Sequence, residues 1–228
     1  MVSDRLWSAA ERVRIGSVRS ARALFAAAAT SVLLAPAAGG AGPVPGCVPH
    51  GGRVLARGTA VRVYETVPKS GRAIAACLVG HSGHMTLLAE PHGGGLHRSL
   101  GRFEVAGHMV AFLETQFGVD SGTIALVVAD IGARRILRSV QAGSYVDAGI
   151  LARRSVTRFL LTARGSIAWI SEYAQHEHLV EVAVRAAPPH GAPVLLDSGP
   201  DIDPNVLRLS GSMLSWSRAG SERTAAMP

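Results

Sequence analysis

The residues predict an all-β domain over 53–226, and three observations carry that prediction. Many short runs are apolar or alternate with a period of two, as in Val105–Leu113 and Val180–Val184, the pattern of a strand buried on one face. Turn formers separate them: Pro68-Lys69-Ser70-Gly71, Asp120-Ser121-Gly122 and Pro188-Pro189-His190-Gly191. After residue 40 no stretch keeps a helical period over two turns.

The first 38 residues stand apart from the domain. Arg5, Arg12, Arg14, Arg19 and Arg22 form a basic leader, opposed only by Asp4 and Glu11. An apolar run, Ala23–Ala35, follows, and then small residues and breakers, Pro36–Pro43. Basic, apolar, small is the order of a secretory signal, in which positive charge stays inside while the apolar helix enters the bilayer. Cleavage is expected near Ala38, with a mature chain that begins close to Gly39 and is secreted or otherwise extracytoplasmic. Three other fates stay open: an uncleaved membrane anchor, a lipid on Cys47 after Val44-Pro45-Gly46, and a soluble Ala-rich helix. The apolar run is shorter than the ~20 residues of a comfortable span, so the membrane is expected as a partner only if this segment is retained. Residues 39–52 read as a flexible segment.

Charge narrows the partners further. The formal net charge is +7, of which the leader's five arginines and two acids supply +3. The remaining +4 is scattered rather than gathered into the basic stripe that tracks phosphates, so no nucleic-acid partner is expected. Hydrophobic residues at 48% are ample for a core and exclude a disordered chain. Cys47 and Cys77 both belong to the exported part, and an even count in an oxidising compartment predicts a disulfide between them. It would close a loop of about 30 residues and contribute about 3 to 4 kcal/mol.

Fifteen strands are expected in order: Arg53–Ala56, Ala60–Glu65, Ala73–Val79, Met85–Ala89, Arg102–Ala106, Met109–Thr115, Thr123–Ala129, Arg135–Val140, Val156–Thr162, Ser166–Glu172, Leu179–Arg185, Pro193–Leu196, Val206–Leu209, Met213–Ser217 and Glu222–Ala226. An imperfect repeat runs through them: a strand, a glycine turn, then a strand carrying an aromatic. Its turn glycines are Gly58, Gly107, Gly165 and Gly211, and Phe112, Trp169 and Trp216 take matching positions. The intervals of 49, 58 and 46 residues suit one four-stranded propeller blade each. The expected architecture is therefore a β-propeller-like array of about three and a half to four four-stranded antiparallel blades, with a β-sandwich as the alternative.

Arg164-Gly165-Ser166-Ile167-Ala168-Trp169-Ile170, Val194-Leu195-Leu196-Asp197-Ser198-Gly199 and the span Leu207–Arg218 together resemble the degenerate propeller repeats of secreted actinobacterial proteins. Those repeats are called TolB-like or WD40-like. The resemblance covers roughly residues 53–226. It implies a propeller and an extracytoplasmic address, and it implies no chemistry.

The residues that invite chemistry are histidines and acids. His81, His84 and His97, with His92 nearby, lie close enough in sequence to suggest a zinc site, which needs three or four converging ligands. His176 and His178 would share a strand face. Asp197, Asp201 and Asp203 offer oxygen ligands to calcium but lack the spacing of a helix-loop-helix calcium site. Polar loop histidines and side-chain-capped turns explain the same residues, so no cofactor is expected, with calcium or zinc as the alternatives. His50, His108 and His190 sit beside turn glycines and look ordinary. Gly-x-Ser-x-Gly is absent, Gly93-Gly94-Gly95 only superficially resembles an oxyanion loop, and Glu104, Glu114, Asp130, Glu172 and Glu181 are carboxylates that sequence cannot pair. The expected function is a non-catalytic module that binds a protein or a cell-envelope polymer. The alternative is an extracytoplasmic hydrolase with its site at the propeller mouth.

Overall fold

The computed structural model describes residues 46–91, 98–146, 152–176 and 178–228. The leader with its cleavage point, and the segment holding His92, the triple glycine and His97, lie outside the described residues.

Fifteen strands occupy the described chain: β1 (Arg53–Arg57), β2 (Val61–Thr66), β3 (Gly71–Leu78), β4 (His84–Pro91), β5 (Arg98–Ala106), β6 (Met109–Phe117), β7 (Ser121–Asp130), β8 (Arg135–Val146), β9 (Ala152–Leu161), β10 (Ile167–Gln175), β11 (His178–Ala187), β12 (Val194–Gly199), β13 (Ile202–Ser210), β14 (Met213–Arg218) and β15 (Ser221–Ala226). Each expected run falls on one of them. Local sequence explains why. Gly107 and Gly211, at φ 60° and 59°, sit in the tight turns between β5 and β6 and between β13 and β14. A side chain resists that backbone and glycine does not.

The propeller expectation is overturned by how the strands associate. They form three antiparallel sheets of four, eight and three strands: β1–β4, β5–β12 and β13–β15. The decisive junction lies between β8 and β9. Ser144, Tyr145 and Val146 pair with Arg154, Arg153 and Ala152, so the two middle groups of strands share one hydrogen-bonded sheet instead of standing as separate blades. The regular four-stranded repeat fails with it, although Gly58, Gly107, Gly165 and Gly211 each lie between consecutive paired strands. Nor do the described strands close a ring, since the first and last sheets contribute to different cores. The arrangement is sandwich-like, with sheet faces packed on one another.

Three cores lie between the faces. Val61, Val63, Ile74, Ala76 and Leu88 of the first sheet meet Leu100, Val110, Phe112 and Val127 of β5–β7. Met109, Ala111, Leu126 and Val128 meet Phe159, Leu161, Ile167 and Trp169, so the eight-stranded sheet folds back on itself. Ala168, Ile170, Val182 and Val184 meet Ile202, Leu207, Leu214 and Trp216 of the last sheet. Phe112, Trp169 and Trp216 are thus buried in three different cores, Trp169 together with Phe159.

Strands β6 and β10 are buried on both faces, since their successive residues serve alternate cores. The one-sided burial expected of Val105–Leu113 gives way to this two-sided arrangement. Continuous apolar runs such as Met109–Phe112 and Ile167–Ile170 are what a strand between two layers requires.

Candidate functional site

Cys47 and Cys77 are joined in a disulfide, with Cα atoms 5.9 Å apart. The bond fastens the segment before β1 to the outer face of β3, where Cys47 and Val48 cover Tyr64 and Ala75. Burial raises the Tyr64 phenol above its ordinary pKa. A hollow of about 500 Å³ opens beside the bond, lined in part by Cys47, Tyr64, His81 and His84. Two of the three expected zinc ligands thus share a hollow, while His97 lies outside the described residues. No group of three His, Cys, Asp or Glu side chains among the described residues is placed to hold a metal ion.

The acidic run meets a cation supplied by the protein itself. Asp197 Oδ1 accepts from Arg218 Nη1 at 2.6 Å, and Asp201 Oδ2 accepts from Arg218 Nε at 3.1 Å. Asp197 Oδ2 also accepts the Trp216 indole N–H at 2.9 Å. Asp203 turns away and receives the backbone N–H of Asn205 at 2.9 Å. The sequence thus placed these carboxylates near one another, but Arg218 stands where a calcium ion was considered. Its hydrogen bond holds the Asp201 carboxyl below the usual aspartate range.

The other singled-out residues are dispersed. His176 (φ 46°) occupies the turn between β10 and β11, with Gln175 paired to His178, so the two histidines do not share a strand face. His108 lies 3.6 Å from Asp130, whose Oδ1 caps the backbone N–H of Ala133. Glu114 accepts from Gln116 and pairs with Arg98, and Glu181 pairs with Arg154 at 3.3 Å. Glu104 and Glu172 line separate hollows of about 350 and 280 Å³.

No sequence motif marks a hollow of about 330 Å³ beside the eight-stranded sheet. The β8 segment Val140–Ser144, Arg154, Trp169, Arg185 and Pro193 line it. Trp169 and Arg185 are direct cross-strand partners on β10 and β11, so pleating puts both side chains on one face. Trp169 is only 1% exposed, and its enclosed indole N–H meets no acceptor among the described residues. Ser171, two positions along the same face, is equally buried, and its hydroxyl is also unpaired. In sequence, Arg185 gave one clue: it ends the alternation Glu181-Val182-Ala183-Val184-Arg185 on the face that carries Trp169.

Comparison with protein-family models, curated proteins and solved structures finds no match to this chain. The resemblance to TolB-like or WD40-like repeats is thus left without support from homology as well as from topology. The described fold defines a class and no more: a disulfide-tied, all-β stack of antiparallel sheets with open edges.

Proposed function

We propose that the chain is a non-catalytic, extracytoplasmic module that binds another protein by strand addition. The observation that carries this reading is the end of the eight-stranded sheet. Strand β12 is its terminal strand, and it exposes about half of Val194 and of Leu195. An edge with free backbone donors and acceptors and apolar side chains pairs readily with an extended segment of another chain. The address is supported by the Cys47–Cys77 bond, since structural disulfides persist where the environment is oxidising, and by the basic, apolar, small leader. An envelope polymer is the weaker partner, because main-chain pairing recognises a polypeptide.

A photo-crosslinking residue at Leu195, introduced in the exporting cell, tests this reading. A discrete protein adduct is expected, and it should disappear when Val194→Lys is added. Labelling no different from that at exposed Arg223 on β15 overturns the reading.

One observation favours the hydrolase as a second reading. Two arginines beside a cavity are the kind of donors that stabilise a developing oxyanion. Turnover of ester or glycoside substrates that is lost in Arg185→Gln would establish it.

A further inference from the structure

We propose that the cavity beside Trp169 is a binding site for an oxyanionic group, the carboxylate or phosphate of a small ligand. The inference does not depend on the strand-addition reading. Its basis is the donor set. Two guanidinium groups, Arg154 and Arg185, line the cavity together with Trp169, which carries one N–H donor and no acceptor. Gln141 and Ser144 add side chains able to donate. No aspartate or glutamate lines it. Arg154 is partly satisfied, by Glu181 at 3.3 Å and by the Tyr173 ring beneath its guanidinium. Arg185, by contrast, has no carboxylate or side-chain hydrogen-bond partner among the described residues. A half-buried guanidinium left without an anion favours one strongly, and its planar fork matches carboxylate and phosphate oxygens.

Trp169 lies beside the same cavity. A buried N–H without an acceptor is disfavoured in a folded protein, and tryptophan is normally buried with that group satisfied. The Trp169 N–H is unpaired among the described residues and is itself enclosed, beside a cavity whose polar lining groups are cations and neutral donors. An oxyanion in the cavity would accept from Arg185, which lies opposite Trp169 across β10 and β11. The volume of about 330 Å³ lies at the lower end of small-molecule sites and suits a ligand of modest size.

Calorimetric titration of the purified chain with acetate and with inorganic phosphate, at constant ionic strength set with chloride, tests the proposal. Saturation at one site per chain is expected for at least one of them. Saturation by acetate alone identifies a carboxylate ligand, and by phosphate alone a phosphate ligand. Arg185→Gln should weaken binding about tenfold or more, the loss of one charge-assisted hydrogen bond. Arg223→Gln, at an exposed position far along the chain, should leave it unchanged. The indole proton resonance that disappears in Trp169→Phe should shift as the site fills in the unmodified chain, a readout that survives even where Arg185→Gln fails to fold. Absence of saturation by either anion, an unmoved indole proton, or equal weakening by Arg185→Gln and Arg223→Gln overturns the proposal.

Discussion

The two end sheets finish the stack in different ways. Strands β1–β4 carry a covalent strap, because Cys47 and Val48 lie over Tyr64, Ala75 and Cys77 on the face away from the first core. Strands β13–β15 have no such cover in the described chain, and Ser221–Thr224 on β15 are exposed. They are tied to the neighbouring sheet by the third core, by hydrogen bonds from Thr157 and Arg158 to the β13 backbone, and by the clamp of Asp197 and Asp201 on Arg218. A layered β protein must do something with each outermost face. One end buries apolar groups beneath a strap, and the other offers serine, glutamate, arginine and threonine to water. The first solution depends on oxidation and the second on side-chain packing.

Removing the packing anchor at the uncovered end should have the largest effect. Trp216 is 4% exposed, joins Leu207 and Leu214 in the third core, and donates to Asp197. Trp216→Ala deletes that aromatic, vacates its space and leaves an acceptor unpaired. A loss of about 3 to 5 kcal/mol in chemical denaturation is expected. A loss below about 1 kcal/mol would show that the last sheet is held by something other than this core.

Opening the strap should come next. Reduction, or the pair Cys47→Ser and Cys77→Ser, is expected to lower stability by about 3 to 4 kcal/mol through the freed loop of about 30 residues. It also sharpens the contrast between the ends. Proteolysis of the reduced chain should begin within residues 46–52, while β13–β15 stay as protected as before. Simultaneous cleavage at both ends would mean that the strap stabilises the whole stack rather than its own sheet.

The strands were legible in the sequence, but the grouping of strands into sheets was not. Each strand announced itself through a period of two and a glycine or proline turn, which are local properties. The merger of two groups of strands into one sheet rests on three residue pairs, Ser144–Arg154, Tyr145–Arg153 and Val146–Ala152, whose side chains carry no signal of pairing. The recurrence of Gly58, Gly107, Gly165 and Gly211 reports hairpins and is silent about which hairpins share an edge. Burial was misread for a related reason. Met109–Phe112 looks like half of an alternation until both neighbouring layers are known.

The candidate site was less legible still. Histidines attract attention by type, yet His176 and His178 mark a turn and His81 and His84 border a hollow beside the disulfide. Arg154 and Arg185 resemble the ordinary charges of a half-exposed strand. They gain meaning only when β8 folds over the face that holds Trp169, and that depends on the same unannounced β8–β9 junction. The disulfide was legible because two cysteines leave a single pairing.

The smallest effect should distinguish the ends by acid. Glu65 on β2 accepts from Arg72 and from Arg53, whose Nε lies 2.9 Å away, and these bonds hold its carboxyl below the usual glutamate range. A carboxyl whose folded pKa is depressed releases its proton more readily when folded, so it stabilises the fold wherever it is ionised. That contribution is complete above the ordinary glutamate value of 4.5 and disappears as pH falls from there through the lower, folded value. Arg53 is well exposed and the network is screened, so about 1 kcal/mol or less is expected. Glu65→Gln should therefore cost a small, constant amount of stability near neutral pH, and the gap from the unmodified chain should narrow only below about pH 4.5. Asp201, held low by Arg218, follows the same sign at the other end, but its side chain is more exposed than that of Glu65, so acid has less to remove there. With the disulfide intact, mild acid should thus loosen β1–β4 before β13–β15, seen as earlier loss of amide-exchange protection in β2 and β3. Equal loss at both ends, or a gap between Glu65→Gln and the unmodified chain that widens on acidification, would show that Glu65 does not hold the first sheet through its arginines.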